Sequence, residues 1–421
     1  MRLKEMTKPI FIVSLILLMV FEACDHDRPG PKPCGDGEIA AADATWSYGE
    51  GDLQNTKRAP NLRQKGCFSG PAETPSVQWS LDLSGSGTAG APVIGDDGTI
   101  YLVGEYPGQP KFGGIRDAGL LAINPNGSIK WYLSRPIDVS IIYAKSVALG
   151  RNGTIYCSMW DSTFYALNPA DGSVKWSRKG VFTADPIVDN NGRIYAASDT
   201  VFCLNSDGSV AWFYANDTPG DYVSRLVPGR KAIYCGYWHG GINALSFSGN
   251  REWFHPVYLD NDLHSGMVVD EDDNLYYKTS YNNIEALDRS GHTKWSVSRG
   301  SMTEPVLWNN HIYFLDAAFL YRIDCKAGFL DSLLAIDDVD LVRFWSSPLI
   351  DDSGQLFFVG GSGVLYAYDL DDRQRLWKLT IPNYGPADFI GHLGLSAMGT
   401  LYVTSYNNVE VTQINRIYSV R

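Results

Sequence analysis

Residues 163–176 read TFYALNPADGSVKW. A strand from Thr163 to Leu167 runs into a turn of Asn, Pro, Ala, Asp and Gly, and a second strand leaves the turn to end on Trp176. The Asp171-Gly172 step supplies the positive φ that a tight hairpin needs. The same design returns as LLAINPNGSIKW at 120–131, VFCLNSDGSVAW at 201–212, IEALDRSGHTKW at 284–295 and LYAYDLDDRQRLW at 365–377. A repeat of this kind decides the fold, because a unit that recurs cannot be read as an isolated hairpin.

Working outward, each hairpin is preceded by an aliphatic–aromatic pair. It occurs eight times, at Ile100-Tyr101, Ile155-Tyr156, Ile194-Tyr195, Ile233-Tyr234, Leu275-Tyr276, Ile312-Tyr313, Leu356-Phe357 and Leu401-Tyr402. Most pairs follow a turn of Asp, Asn and Gly, such as Asn190-Asn191-Gly192. Before that turn stands a short apolar strand, often opened by proline, as in Pro92-Val93-Ile94 and Pro186-Ile187-Val188. Each unit is therefore a four-stranded antiparallel meander, strands a to d. Strand d carries a tryptophan: Trp131, Trp176, Trp212, Trp253, Trp295 and Trp377, with Ser332 in that place in the sixth unit.

One such sheet has two apolar faces and cannot bury both alone. Radial stacking of neighbours buries them, with large aromatics filling the wedges between sheets. The fold class expected is all-β: an eight-bladed β-propeller of four-stranded antiparallel blades. No segment keeps a helical period over a useful length, which excludes a helical solenoid. The eighth unit stops at Arg421 after its third strand. Ser76 to Asp82 (SVQWSLD) reads as an orphan strand d with Trp79 as the missing tryptophan. The expectation is that the N-terminal strand completes the last blade and leaves no open sheet edge.

The chain has 421 residues, 44% hydrophobic and 13% aromatic, with 42 glycines and a formal net charge of −12. That suits many short strands joined by tight turns. No basic run occurs, so a nucleic-acid groove is excluded. At the N-terminus Arg2, Lys4 and Lys8 precede an apolar run from Ile10 to Phe21 that ends at Ala23-Cys24. The run suits a signal h-region rather than a bilayer span. It resembles a lipoprotein signal, with Cys24 as the lipidated residue of an exported outer-membrane lipoprotein, facing the periplasm or the cell surface. The divisions expected are residues 1–23 as signal peptide, 24–75 as tether and lead-in, and 76–421 as propeller. Cys34 and Cys67 are the candidate disulfide of an oxidising compartment. Cys157, Cys203 and Cys235 sit inside apolar strand patterns and read as small buried hydrophobes.

Catalytic patterns are scarce. There is no H-E-x-x-H, no G-x-S-x-G and no Walker loop. Gly85, Gly87 and Gly90 spell G-x-G-x-x-G but no helix follows to hold a phosphate. The acidic run Asp270 to Asn274 falls in an a–b hairpin and reads as a solvated turn, not a calcium loop.

The pattern A-x-[DN]-x-x-x-G-x-x-x-W, carried by Ala166, Asn168, Gly172 and Trp176, resembles the repeat of pyrroloquinoline-quinone (PQQ)-type β-propellers. The lead-in WSYGEGDLQNTKRAP at 46–60 resembles the segment that precedes such propellers. The resemblance covers about residues 45–421. It implies the propeller fold and two functional branches. Quinoprotein dehydrogenases hold PQQ and calcium on the axis, often beside a disulfide of adjacent cysteines, and no adjacent Cys pair occurs here. The other branch is non-enzymatic lipoproteins, including BamB, a scaffold of outer-membrane protein assembly.

The elaborated loops fall on one rim. In a meander blade the b–c and d–a connections emerge on the same face. The long segments are of those two kinds: Glu105 to Asp117, Ser134 to Ala144, Ala215 to Ser224, Pro256 to His264 and Ile336 to Phe344. Pro382 to Gly391 is long as well. Loops on a rigid scaffold carry function. The candidate binding face is Trp160, Trp238, His239, His264 and Tyr384, an aromatic rim suited to a protein or a glycan. The function expected is a non-catalytic, lipid-anchored scaffold that touches the membrane only through its anchor. A PQQ- and calcium-dependent oxidoreductase is the alternative.

Overall fold

The computed structural model describes residues 69–421 except 85–90, 105–116, 137–146, 151, 160, 190, 258–265, 280–282, 300–302, 317–318, 336–347, 361–362, 383–387, 397 and 408–413. Within them thirty-two strands form eight separate four-stranded antiparallel sheets, and no helix occurs. Blades one to seven each use four consecutive strands, from Val93–Ile94 in blade one to Gln374–Thr380 in blade seven. The first strands of successive blades lie beside one another, so strand a faces the axis and strand d the outside.

Burial follows that radial order. In blade two, Ile155–Met159 and Thr163–Leu167 are buried at every position, whereas Val174–Lys179 alternates between exposed and half-buried. Strands b and c are covered by a neighbour on both faces, which is why they read as continuous apolar runs. The core is accordingly divided among the seams. One cluster joins Tyr101, Val103, Leu120 and Ala122 of blade one to Val147, Leu149, Ile155 and Cys157 of blade two. Cys157, Cys203, Cys235 and also Cys325 are buried thiols that form no disulfide.

The strand d tryptophans fix one blade to the next. Trp131 donates its Nε1–H to the Pro169 carbonyl at 3.0 Å, and Trp176 to that of Ser206 at 2.8 Å. Trp212, Trp253 and Trp295 repeat the bond to Phe247, Arg289 and Cys325. Each indole lies over the glycine of the hairpin it docks on: a Cβ at Gly172, Gly208, Gly249 or Gly291 would come within 2.7–2.8 Å of ring carbons. These glycines also have φ of +72 to +87°. The motif glycine therefore answers two demands, the left-handed turn and close approach of the preceding blade's indole.

Closure is as expected. Blade eight runs in the order Asp388–Leu395, Leu401–Asn407, Ile414–Val420, Val77–Ser84, the N-terminal strand standing outermost as strand d. Trp79 pairs in register with Ser419, and Leu81 with Ile417. Its ring lies 6.0 Å from that of Tyr402, and its Nε1 donates to Pro125 of blade one at 2.8 Å. Asp82 and Arg416 add an ion pair at 2.5 Å.

The latch starts further upstream than that strand. Blade eight has no covalent c–d hairpin, and Gly70-Pro71 takes its place. Trp377 of blade seven donates to the Pro71 carbonyl at 2.7 Å, and the Gly70 amide donates to Asp351 Oδ2 at 2.8 Å. A Cβ on Gly70 would sit 2.4 Å from the Phe357 ring. Cys24, Cys34, Cys67 and Gly85 to Gly90 lie outside the described residues. The Asp270 carboxylate is engaged by the amides of Asp272 and Asn274 and by the Tyr276 hydroxyl, which makes that acidic run a structural turn.

Candidate functional site

The two faces of the ring differ. Short Asx–Gly turns close the a–b and c–d face. The b–c and d–a connections leave the other ends of the strands, and most of the long ones lie outside the described residues, as do Trp160, His264 and Tyr384. Blade four shows its share of the rim. Its strands are Val223–Pro228, Ala232–Tyr237, Ile242–Ser246 and Arg251–His255. The connection before Val223 and the connection after Tyr237 meet at the rim.

Tyr222 and Trp238 touch there edge to face, with centroids 6.0 Å apart and planes at 65°. Tyr222 is 38% exposed, Trp238 is half-buried and the neighbouring His239 is exposed. The Trp238 amide donates to the Tyr222 carbonyl at 3.0 Å. Beneath the pair, Asp221 is 3% exposed and its Oδ1 accepts the His239 amide at 2.9 Å. Glycine permits the clasp: a Cβ at Gly240 would be 2.3 Å from Asp221 Oδ2, and one at Gly241 would be 2.3 Å from the His255 carbonyl. The result is a preorganised aromatic step with an imidazole at its edge. Trp238 and His239 are consecutive in the chain, and the structure adds Tyr222 beside the first and Asp221 beneath the second. Asp221 is not evident from the pattern, although an Asp before a strand and a Gly-Gly after Trp-His are the signals that would have found it.

A second cluster lies on the axis at the same face. Arg225, early in strand a of blade four, reaches past blade five to Glu304 of blade six at 2.5 Å. Gly266 of blade five leaves the passage, since a Cβ there would be 2.7 Å from Glu304 Cβ. Lys278 closes strand b of blade five. Burial lowers its pKa and the nearby Glu304 opposes that shift. The pair is 9% and 22% exposed, so screening by water is limited on the arginine side. Sequence reading misses this cluster, because the three residues stand in separate blades and share no motif.

Among the described residues no three His, Cys, Asp or Glu side chains gather into a metal-binding group. In this cluster two cations, Arg225 and Lys278, surround one carboxylate that Arg225 already engages. That set does not suit a calcium ion, which takes six to eight oxygen ligands.

The repeat, the ring and the docked tryptophans define a PQQ-type β-propeller. The family model described as outer membrane protein assembly factor BamB matches residues 116–330 and 259–418, most of the chain, and the chain belongs to this family. No curated protein matches it in sequence. Among solved structures it is similar to BamB from Moraxella catarrhalis, at 15% identity and a TM-score of 0.55, over 82% of this chain and 97% of that one. It is similar also to a europium-containing methanol dehydrogenase, at 13% identity and a TM-score of 0.65, over 90% and 98% of the two chains. A quinohemoprotein alcohol dehydrogenase from Comamonas testosteroni gives 13% and 0.65, over 90% and 81%. At these identities the structural likeness establishes the fold alone.

Proposed function

We propose that the chain is a non-catalytic scaffold of the cell envelope whose loop-rich face takes a protein or glycan partner. On this reading residues 1–23 are removed, Cys24 carries the lipid of an outer-membrane lipoprotein, residues 24–75 tether the ring, and residues 76–421 form the binding body. Cys34 and Cys67 pair within the tether. The observation that carries the reading is the blade-four step: Tyr222, Trp238 and His239 present rings and an imidazole to solvent, held by the buried Asp221 carboxylate and two glycines. Preorganised aromatic anchors are what binding faces use. The family's description, which concerns outer-membrane protein assembly, supports a protein partner.

The test is capture from envelope extract by the immobilised full chain. Trp238→Ala should lower retention of the captured partner by at least about tenfold, the loss of roughly 1.4 kcal/mol or more at an anchor residue. Equal retention by the variant and the wild type overturns the reading.

The PQQ-dependent oxidoreductase remains the second reading because the two dehydrogenases overlay on 90% of the chain. Arg225 and Lys278 offer positive charge to the carboxylates of PQQ, while the same charges disfavour its calcium. No chemical step follows from residues arranged in this way.

A further inference from the structure

Under the blade-four step lies a set of polar atoms that the protein itself leaves unanswered. Asp221, Tyr237 and Asn243 are 3%, 1% and 1% exposed. Asp221 Oδ2 has no hydrogen-bond partner among protein atoms, and the Tyr237 hydroxyl and the Asn243 amide, which interact with each other, form no hydrogen bond of good geometry. They share one place. Asn243 pairs in register with Cys235, and Tyr237 lies two residues further along the same strand, on the same face of the sheet. That face packs on Ala197, Val201 and Cys203 of blade three, so the pocket sits between blades three and four. Asp221 closes it from the rim: a point one bond from Gly240 Cα lies 2.3 Å from Asp221 Oδ2 and 3.7 Å from Tyr237 Cβ. Burial raises the pKa of the Tyr237 phenol, the Asn243 side chain opposes that shift as a neighbouring hydrogen-bonding group, and the Asp221 charge adds to it.

Buried polar atoms without a partner are rare, and each calls for an answer. The chemistry of the four atoms selects it. Asn243 Nδ2 and the Tyr237 hydroxyl have protons to give; Asp221 Oδ2 and Asn243 Oδ1 have lone pairs to fill. Water offers two protons and two lone pairs and is the usual occupant of a polar pocket with several partners. A metal cation would serve the oxygens and leave the Asn243 N–H groups pointing at a positive charge. An anion would meet the Asp221 carboxylate.

We infer that Asp221, Tyr237 and Asn243 enclose a buried water site between blades three and four. The water completes the hydrogen bonding of Asp221, and Asp221 in turn holds the His239 amide. Tyr237 and Asn243 are thus positioning residues for the Trp238 connection, whether or not that connection binds a partner.

Two measurements test this on the full chain. The first is a crystal structure at high resolution, with a second crystal soaked in rubidium chloride. A solvent peak within about 2.6–3.2 Å of Asp221 Oδ2 and of Asn243, with no anomalous signal, is the expected result. An anomalous peak there, or Asp221 paired directly with Asn243 and no peak, overturns the site. The second is amide hydrogen exchange of the Asn243→Leu variant. Exchange of the His239 amide should rise by at least about tenfold, as a buried hydrogen-bond partner is lost. An unchanged rate overturns the positioning role. If that variant fails to fold, the crystal of the unaltered chain still decides the site.

Discussion

The seam between blades four and five and the seam between blades six and seven solve one packing problem in two ways. At the first, Trp253 lies on Gly291 and donates to the Arg289 carbonyl. At the second, Ser332 stands in the tryptophan's register position, opposite Tyr321. Arg373 stands where the partner glycine would be, still at a positive φ of 53°. Both halves of the dock are absent together. With no indole to receive, a Cβ at the hairpin costs nothing beyond its own backbone strain. Asp331 supplies ion pairs in their place, to Arg322 at 3.0 Å and across the seam to Arg373 at 3.9 Å. Aromatic volume moves inward: Trp308 packs near Gly354, and Phe358 stacks on Tyr366 and Tyr368 at 5.0 and 5.7 Å. The wedge needs volume, which several residues can supply. The Trp–Gly pair adds direction, because one indole N–H and one bare Cα fix how neighbouring blades sit.

The comparison can be broken most severely at the closure. Deleting residues 69–84 removes Trp79 and also the Pro71 carbonyl that receives Trp377, so two seams are lost at once. The melting temperature should fall by more than about 15 °C, or cooperative melting should vanish. A melt like that of the full chain means that something else closes the ring. Next, Trp253→Ala should cost about 3 kcal/mol in denaturant unfolding. A cost under about 1 kcal/mol would reduce the dock to surface decoration.

The sixth seam sharpens the point. Ser332→Trp alone should not stabilise, since its indole would meet the Arg373 side chain. Combined with Arg373→Gly it restores both halves. A double-mutant cycle should give a favourable coupling of about 1–2 kcal/mol. Zero coupling would show that the two positions do not act as one unit.

The smallest effect concerns pH. Burial raises the pKa of Asp351, the carboxylate that holds Gly70, against the opposing amides of Gln355 and Gly70. Between the ordinary value of 3.8 and the raised folded value, the folded chain binds more proton than the unfolded chain. Stability from this group therefore falls as pH rises through that window. The advantage of the wild type over Asp351→Asn should be larger near pH 4 than near pH 7, by less than about 1 kcal/mol. An advantage that grows with pH reverses the argument.

The blade count, the strand order within each blade and the exchange of Trp79 into blade eight are all legible in the sequence, because each rests on local pattern. Period-two strands, Asx–Gly steps and a tryptophan at fixed spacing repeat along the chain, and a missing fourth strand at one end matches a spare one at the other. The second duty of the motif glycine is not legible. Gly291 and Trp253 stand 38 residues apart, and a glycine in a turn already has a sufficient local reason to be there. For the candidate site, Trp238 and His239 are legible as neighbours on the connection that follows strand b of blade four. Asp221, Tyr237 and Asn243 are not, since Tyr237 and Asn243 look like ordinary strand residues until the sheet faces blade three. Arg225, Lys278 and Glu304 meet only because three blades converge on one axis.

By itself, then, the amino-acid order determined an eight-fold ring of meanders and the segment that shuts it, since hydrophobic periodicity and turn chemistry act within a few residues. Contact between distant positions was decided only by the tertiary structure: the indole on the next blade's glycine, Gly70-Pro71 in place of a hairpin, the polar pocket beneath the rim. Those contacts depend on how sheets pack radially, and packing joins residues whose separation along the chain carries no local signal.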